Sequence, residues 1–279
     1  MTLLTDGCAA PSEIARALEE RGFESLFVGE HTHLPAEPRT PYPGEGGALP
    51  PGMSRTYDPF TSLLAAALAT TDLRVGTSIC ELAVYDPILL AKVIATVDRL
   101  SGGRFVLGAG YGWNVQEIEN HGVPYAERRD VLHENVEAMT AIWTQDVASY
   151  AGRHVSFDKI WCWPKPLQSP RPPVLLGARG PKAIAAAVRY FDGWLPSGYD
   201  NFVAGLPLLR EACDAAGRDL ASMRISVTDR HPDRERLRFY AEHGVERLIV
   251  STIMTPFTTD NLDAELDALA HEVADYLRT

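Results

Sequence analysis

The strongest constraint on this chain is a repeat in which a short apolar segment is followed by a loop and then by a stretch with helical periodicity. Eight such apolar runs occur along the 279 residues, nearly all unbroken, which is typical of parallel strands buried on both faces. The predicted strands are residues 2–5, 23–29, 73–80, 105–109, 174–177, 193–195, 223–228 and 247–251. The predicted helices are residues 11–21, 58–69, 86–100, 127–143, 181–190, 202–216, 233–243 and 261–278.

Eight strand–helix units that end on a helix predict an α/β fold of the (β/α)8 TIM barrel type, as one domain over residues 1–279. The length agrees, because such barrels have about 250 residues. An open doubly wound sheet is the alternative. It would be expected to carry a glycine-rich fingerprint in its first strand–helix turn, and the segment Thr5 to Ala9 has none.

Two segments interrupt the repeat. Residues 31–57, after the second predicted strand, are rich in proline and glycine, and a loop of this length within a domain is usually functional, for example as a lid, or disordered. Residues 148–173 form the second interruption and predict an insertion before the fifth strand. Its first part alternates as in a small hairpin around Gly152, and the rest is proline-rich and extended.

Composition restricts the partners and the compartment. The formal net charge of −11 and the absence of a basic run argue against nucleic acid or an anionic membrane as the main partner. Four scattered cysteines without a CxxC pair are typical of reduced thiols in a cytoplasmic protein. We find no signal peptide at the start of the sequence and no membrane-spanning run.

In a barrel of this type the active site lies at the carboxyl ends of the strands. After the second strand come Glu30 and His31, which could form an acid/base pair; the alternative is a polar pair satisfied by the loop backbone. His31 and His33 also form an HxH pair that could bind a metal. We predict no metal, because no His, Asp or Glu directly follows the fifth or sixth strand.

Two glycine-rich turns suggest a phosphorylated cofactor. The turn from Gly108 to Gly112 would let backbone N–H groups approach a ligand, with Trp113 beside it. The turn from Gly177 to Gly180 carries Arg179 and precedes a predicted helix, an arrangement that suits a phosphate. Either turn could equally be an ordinary tight turn. Cys80 and Cys162 could be nucleophiles, but buried packing is the better interpretation of a free cysteine.

Several motifs resemble the luciferase-like monooxygenases over nearly the whole chain. These are Asp58-Pro59-Phe60 with Leu73 to Thr77, Asp86-Pro87 with Lys92 and Asp98 to Arg104, the run Leu107 to Asn114, and Trp163 to Pro166 with Pro172 to Val174. The branch that the chain most resembles is the coenzyme F420 (deazaflavin)-dependent oxidoreductases. Two departures are the start of the chain almost inside the first strand, which predicts a short strand or a misassigned start site, and Glu30 where many relatives have Asp.

The resemblance implies a set of site residues. The third strand would end in a non-prolyl cis peptide, Ser78–Ile79, that supports the central ring of the cofactor, and Glu30 and His31 would contact that ring, with His31 moving a proton. The implied cofactor-binding residues are Asp6, Glu30, His31, Thr77, Ser78, Ile79, Ala109, Gly110, Asn114, Gly177, Ala178, Arg179 and Gly180.

The sequence thus predicts an oxidoreductase that transfers hydride between coenzyme F420 and an organic small molecule, with Glu30 and His31 as catalytic residues. One alternative is an FMN-dependent monooxygenase, which uses reduced flavin and O2 and needs a reductase partner. A barrel that binds a flavin without catalysis and a metal hydrolase using His31 and His33 are the others. The resemblance also implies a homodimer.

Overall fold

The protein is described by a computed structural model over residues 1–44 and 47–274. Seven parallel strands form one sheet in which neighbours in space follow the order of the chain, and an antiparallel hairpin, β4–β5, is inserted between the third and the fourth of them. The strands are β1 (Ser25–Val28), β2 (Arg74–Thr77), β3 (Phe105–Gly110), β4 (Ala148–Ala151), β5 (Ser156–Ile160), β6 (Val174–Gly177), β7 (Gly193–Trp194), β8 (Arg224–Asp229) and β9 (Arg247–Val250).

Helices follow the strands of the sheet in alternation. They are α1 (Pro11–Glu20), α2 (Pro59–Leu68), α3 (Pro87–Leu100), α4 (Val115–Asn120), α5 (Arg128–Thr144), α6 (Pro181–Tyr190), α7 (Tyr199–Ala216), α8 (Arg234–Glu242) and α9 (Leu262–Glu272). This alternation confirms the predicted α/β barrel. Of the predictions, residues 45–46 of the long loop and the last part of the final helix, residues 275–278, lie outside the described residues.

The first predicted strand differs from expectation. Residues 2–5 form isolated bridges rather than a ladder, so the sheet has seven strands where eight were predicted. Only Met1 and Thr2, among the described residues, form backbone hydrogen bonds to both neighbours, β1 and the end of β9. Thr2 exchanges backbone hydrogen bonds with Phe27 and Gly29, at 3.0 and 3.2 Å. Met1 exchanges them with Val250 and Thr252, at 2.5 and 2.8 Å, and these four bonds join β1 to β9.

Local sequence explains where two of the barrel helices begin. Asp58 and Asp86 each accept a hydrogen bond from a backbone N–H of the first helical turn, at 2.7 and 2.8 Å, and each is followed by proline at the first helical position. This pairing supplies one of the missing acceptors at the helix start and fixes the entry conformation. The two helices therefore begin where the sequence predicts.

The core has two parts. The larger lies between the strands and the surrounding helices, and a smaller cluster of Phe27, Val106, Leu175, Leu195 and Ile249 fills the inside of the barrel. Gly76 makes room for this inner layer, because a Cβ at that position would lie 2.5 Å from the ring of Phe27. The interior is thus a packed layer of side chains, and a ligand must bind at one end of it.

A cavity of about 540 Å³ lies at the amino ends of the strands, between β1, β9 and the helices α1 and α9. None of the predicted site residues lines it, so it is separate from the end of the barrel where chemistry is expected. Within the described residues, no helix is both long and apolar enough to cross a membrane. The four cysteines are unpaired, and Cys80, Cys162 and Cys213 are buried.

Candidate active site

The predicted site residues gather at the carboxyl ends of neighbouring strands. Glu30 and His31 follow β1, the Ser78–Ile79 pair follows β2, and Gly110 ends β3. Gly177 ends β6, and residues 178–180 follow it. These strands are adjacent and parallel, so their carboxyl ends share one rim of the barrel. The other predicted site residues are Asp6, Thr77, Ala109 and Asn114.

His31 is the centre of the arrangement. Its Nδ1 lies 2.6 Å from Oε2 of Glu117, and only 7% of its side chain is exposed. The indole nitrogen of Trp113 donates to Nε2 of His31 at 3.3 Å. An indole N–H can only donate, so Nε2 carries a lone pair and the ring proton lies on Nδ1, facing Glu117. In this arrangement Nδ1 is the donor to Glu117 and Nε2 is the acceptor that faces Trp113.

Glu117 is held in place by α4 and by the loop that contains His31. Asn114 caps α4, and its Oδ1 accepts the N–H groups of Gln116 and Glu117 at 3.1 and 3.2 Å. Thr32 donates its backbone N–H and its hydroxyl to Oε1 of Glu117 at 2.8 and 3.1 Å. Burial alone would raise the pKa of Glu117, but the hydrogen bonds from His31 and Thr32 hold it below its ordinary value. Glu117 is thus the anion that supports His31.

The structure places Glu30 differently from the predicted acid/base pair. Its Oε1 accepts the backbone N–H of Glu81 at 2.9 Å, and its Oε2 accepts the hydroxyl of Tyr85 at 3.0 Å. Among the described residues its hydrogen bonds thus go to the segment after β2 and not to the His31 ring. Burial raises the pKa of Glu30 despite these donors. Its observed contacts anchor that segment against the segment after β1.

Glu81 was not predicted from the sequence. It is buried, its Oε1 lies 3.8 Å from Nδ1 of His31, and its Oε2 has no hydrogen-bond partner among the described residues. Burial raises its pKa well above the ordinary value, and the nearby charges of Glu117 and Glu30 raise it further. A hydrogen bond from the backbone N–H of Trp113 and the charge of Arg128 oppose this rise in the pKa of Glu81 only in part.

The segment after β2 forms a shelf of small and apolar groups. The Ser78–Ile79 peptide is cis, as predicted, and Thr77 exchanges hydrogen bonds with Gly108 of β3 at 2.8 and 3.1 Å. Gly110 and Gly177 border Ile79, because a Cβ on either would lie 2.6 or 2.9 Å from an Ile79 side-chain carbon. Ala109 of β3 is fully buried beside them. These glycines therefore make room for Ile79 at the rim.

The turn after β6 leads directly into a helix. Gly180, with a φ of +80°, precedes Pro181 at the start of α6, and no side chain caps this helix. Arg179 is exposed and Ala178 is nearly buried, and the carbonyl of Ala178 accepts the indole N–H of Trp194 at 2.9 Å. The uncapped helix start next to an arginine keeps the features that suit an anion.

Two predicted cofactor-binding residues, Asn114 and Asp6, form hydrogen bonds within the protein. Asn114 is fully buried; its Oδ1 caps α4, and its Nδ2 has no hydrogen-bond partner among the described residues. Asp6 is exposed and forms a two-bond ion pair with Arg55, at 2.6 and 2.7 Å. The Asp6–Arg55 pair joins the first segment of the chain to the end of the long loop.

The long loop lies over α4. The backbone N–H of Arg39 donates to Gln116 at 2.6 Å, and the ring of Tyr42 packs edge-on against Trp113 with 5.5 Å between centroids. The loop, as far as it is described in residues 31–44 and 47–57, thus contacts Trp113, the residue whose indole N–H donates to His31. A covering role for this loop stays a prediction.

A metal site was not predicted here. His31, Glu81 and Glu117 place one potential ligand atom each within 4.8 Å of one another, although the 2.6 Å hydrogen bond already joins His31 to Glu117. The HxH arrangement is not formed, because His33 instead approaches Asn120 at 2.8 Å and Thr32 at 3.1 Å. Glu81 directly follows the third predicted strand, but Glu117 lies well beyond a strand end in sequence, so the sequence did not bring the two carboxylates together.

Comparison with known proteins gives the same picture. The model of the luciferase-like monooxygenase family matches residues 6–232. An uncharacterised protein of Mycobacterium tuberculosis is 39% identical over 274 residues, which are 97% of this chain and 96% of that protein. The F420-dependent glucose-6-phosphate dehydrogenase of Nakamurella multipartita is 29% identical over 276 residues, covering 92% of this chain and 76% of that enzyme.

Similar structures agree in fold. A monooxygenase from Streptomyces bottropensis superimposes with a TM-score of 0.74 at 20% identity, over 96% of this chain and 92% of the other. This similarity extends the agreement from sequence to the arrangement of strands and helices. The family match covers most of the residues that form the rim described above, and the chain therefore belongs to the luciferase-like monooxygenase family.

Proposed function

We propose that the protein is an oxidoreductase that transfers hydride between coenzyme F420 and an organic hydroxyl or carbonyl compound, with His31 as the acid/base. The observation that carries this proposal is the pair of contacts at His31, whose Nδ1 lies 2.6 Å from Oε2 of Glu117 and whose Nε2 accepts the indole N–H of Trp113 at 3.3 Å. The F420-dependent dehydrogenase at 29% identity supports the choice of coenzyme.

The rim fits a flat ring with an anionic tail. Ser78 and Ile79, with Ala109 and Gly110 beside them, would support the ring, because this part of the rim lacks large polar side chains. The uncapped start of α6 with Arg179 would hold a phosphate. When bound there, the coenzyme would supply the carbon that accepts or gives the hydride. Asn114 supports the site indirectly in this proposal, because its Oδ1 holds α4 in place.

His31 would move the proton that accompanies the hydride. In the oxidation of an alcohol, the substrate hydroxyl would replace the indole N–H of Trp113 at Nε2. Nε2 then takes the hydroxyl proton, and the resulting imidazolium is stabilised by the Glu117 carboxylate at Nδ1. In the reverse direction the same nitrogen returns the proton. The loop over α4 would exclude water from the site. Glu30 holds the segment after β2 and does not exchange the proton in this proposal.

A luciferase-like monooxygenase that uses FMN is the second candidate, supported by the similar structure of the Streptomyces bottropensis monooxygenase. The two candidates differ in what they bind and in what they consume. An F420 enzyme needs no O2, whereas the monooxygenase needs reduced flavin from a reductase and O2. A barrel that binds a flavin without catalysis would bind one of the two and show neither reaction.

The test is a paired spectroscopic titration with coenzyme F420 and with FMN, followed by a search for cofactor reduction with 2-propanol, cyclohexanol and glucose 6-phosphate under anaerobic conditions. We expect binding of F420 in the micromolar range, little binding of FMN, and reduction by at least one alcohol. The variant His31→Asn should bind F420 and lose reduction, while His271→Asn, at an exposed position of α9, should keep both. Tight FMN binding without F420 binding would refute the proposal.

A further inference from the structure

We propose that Glu117, Thr32 and the surface pair His33 and His121 form the path by which a proton on His31 is exchanged with solvent. The use of this path in turnover rests on the proposed function, but the path itself follows from the geometry of the described residues. It also gives a role to the second histidine of the HxH sequence, which the proposed chemistry leaves unused.

A path is needed because His31 is enclosed. Its side chain is 7% exposed and that of Glu117 is fully buried. Nε2 faces the indole of Trp113 and is the atom that would face a substrate, so it is not the exit toward water. Nδ1 is therefore the atom through which the ring can gain or lose a proton while the substrate side is closed.

The hydrogen bonds from Nδ1 lead outward without a gap. Nδ1 of His31 lies 2.6 Å from Oε2 of Glu117, and Oε1 of the same carboxylate lies 3.1 Å from the hydroxyl of Thr32. That hydroxyl lies 2.8 Å from Nε2 of His121 and 3.1 Å from Nδ1 of His33. Each separation is within the range of a hydrogen bond.

The path ends in water. Thr32 and His121 are exposed and His33 is partly exposed, and the two imidazole rings lie 5.6 Å apart. Asn120 holds His33 by a contact of 2.8 Å to its Nε2. Partial burial and the neighbouring His33 lower the pKa of His121, which favours its neutral form, the form that accepts a proton.

The transfer balances as follows. When Nε2 of His31 takes a substrate proton, Nδ1 gives its own proton to Oε2 of Glu117, and the ring is neutral again as the other tautomer. The Glu117 carboxyl group then rotates by half a turn, so that its protonated Oε2 faces Thr32 and donates its proton to the Thr32 hydroxyl. The Thr32 hydroxyl in turn passes its own proton to Nε2 of His121, and His121 releases a proton to water. Glu117 and Thr32 end in their starting protonation states. After the product leaves, His31 returns to the Nδ1–H tautomer when Nε2 gives its proton to water and Nδ1 takes one back along the same path.

Glu81 does not offer a competing exit. Its Oε1 is 3.8 Å from Nδ1, beyond hydrogen-bond distance, and its Oε2 contacts no donor or acceptor among the described residues. Its side chain is 3% exposed. A proton passed to Glu81 would therefore stop there, whereas the Glu117 branch continues to the surface.

The first test uses the protein without cofactor. The Nδ1–H proton of His31 is assigned by NMR through its loss in His31→Asn, and its exchange with water is measured in the wild type, Thr32→Val, Thr32→Ser and the same-loop control Thr40→Val. We expect Thr32→Val to slow exchange by about 10²-fold, the lower end of what a positioned proton-transfer group contributes. Thr32→Ser should restore it, and Thr40→Val should leave it unchanged. Equal exchange in Thr32→Val and the wild type would overturn the path.

The second test measures use of the path. With coenzyme F420 and the alcohol that reduces it, proton release into a weakly buffered dye solution should lag behind cofactor reduction in Thr32→Val and coincide with it in Thr32→Ser. Added imidazole should abolish the lag. A release that coincides with reduction in every variant would show that the path is not used. Absence of reduction by the wild type would count against the proposed function, while the exchange measurement still decides the path.

Discussion

Nδ1 of His31 lies 2.6 Å from Oε2 of Glu117, although 86 residues separate the two along the chain. The carboxylate that adjoins His31 in sequence, Glu30, hydrogen-bonds to Glu81 and Tyr85 instead. The anion that supports the imidazole therefore comes from α4, a six-residue helix after β3. This relationship makes Glu117 the first residue on which the proposed chemistry can be tested.

Replacing Glu117 by Gln should slow alcohol oxidation by about 10²-fold or more, because the imidazolium formed during proton uptake loses its carboxylate partner. The coenzyme affinity should change little, since the hydrogen bonds of Glu117 go to His31 and Thr32 and not to Ser78 and Ile79, the proposed ring support. Steady-state rates together with a coenzyme titration measure both effects. Glu119→Gln on the same helix is the control, because the Glu119 side chain is 46% exposed. Equal rates for both variants would remove Glu117 from the mechanism.

The order of the strands was predictable because its cause is local. Unbroken apolar runs and Asp-Pro helix starts such as Asp58-Pro59 carry the information within a few residues. The first strand was the exception. Residues 2–5 look like a strand in composition, but only Met1 and Thr2 lie between β1 and β9, and the extent of a ladder depends on its partners.

The site was predictable only in part, for the same physical reason. Positions at strand ends, such as His31 and Gly110, follow from the fold class, and the cis Ser78–Ile79 peptide followed from the resemblance. The pairing of His31 with Glu117 depends on how α4 is placed, and α4 was not predicted because six residues carry little periodicity. Glu81 directly follows the third predicted strand, but its raised pKa arises from burial near two other carboxylates, which its position in the sequence does not show.

The raised pKa of Glu81 predicts a pH-dependent effect of Glu81→Gln on stability. A carboxyl whose pKa is raised on folding costs the folded state nothing while it is protonated in both states. The cost begins as pH rises above the ordinary value of 4.5 and grows until the folded pKa is passed. The free energy of unfolding of Glu81→Gln, from urea titrations, should thus improve relative to the wild type as pH rises from 4 toward 8. A difference independent of pH, as expected for the exposed Glu20→Gln, would contradict this.

Replacing Trp113 by Phe should expose the base nitrogen of His31 to reagents. The indole N–H donates to Nε2 at 3.3 Å, and phenylalanine keeps an aromatic ring against Tyr42 without that donor. We expect diethyl pyrocarbonate to modify His31 several-fold faster in Trp113→Phe, as measured by peptide mass spectrometry. Trp161 is 80% exposed, and Trp161→Phe should leave the rate of His31 modification unchanged. An unchanged rate in Trp113→Phe would mean that the indole does not shield Nε2.

Replacing Gly110 by Ala should disturb both the fold and the shelf. A Cβ at Gly110 would lie 2.6 Å from Cγ1 of Ile79, so the Ile79 side chain has to move within a packed rim. Overpacking of this kind costs about 1–3 kcal/mol, which urea unfolding can resolve. Because Ile79 belongs to the proposed ring support, the affinity for coenzyme F420 should fall as well. Gly7→Ala is the matched control, since a Cβ there comes no closer than 3.8 Å to Thr5. If Gly110→Ala had the same free energy of unfolding and the same F420 affinity as this control, the Ile79 side chain would not be tightly packed against Gly110.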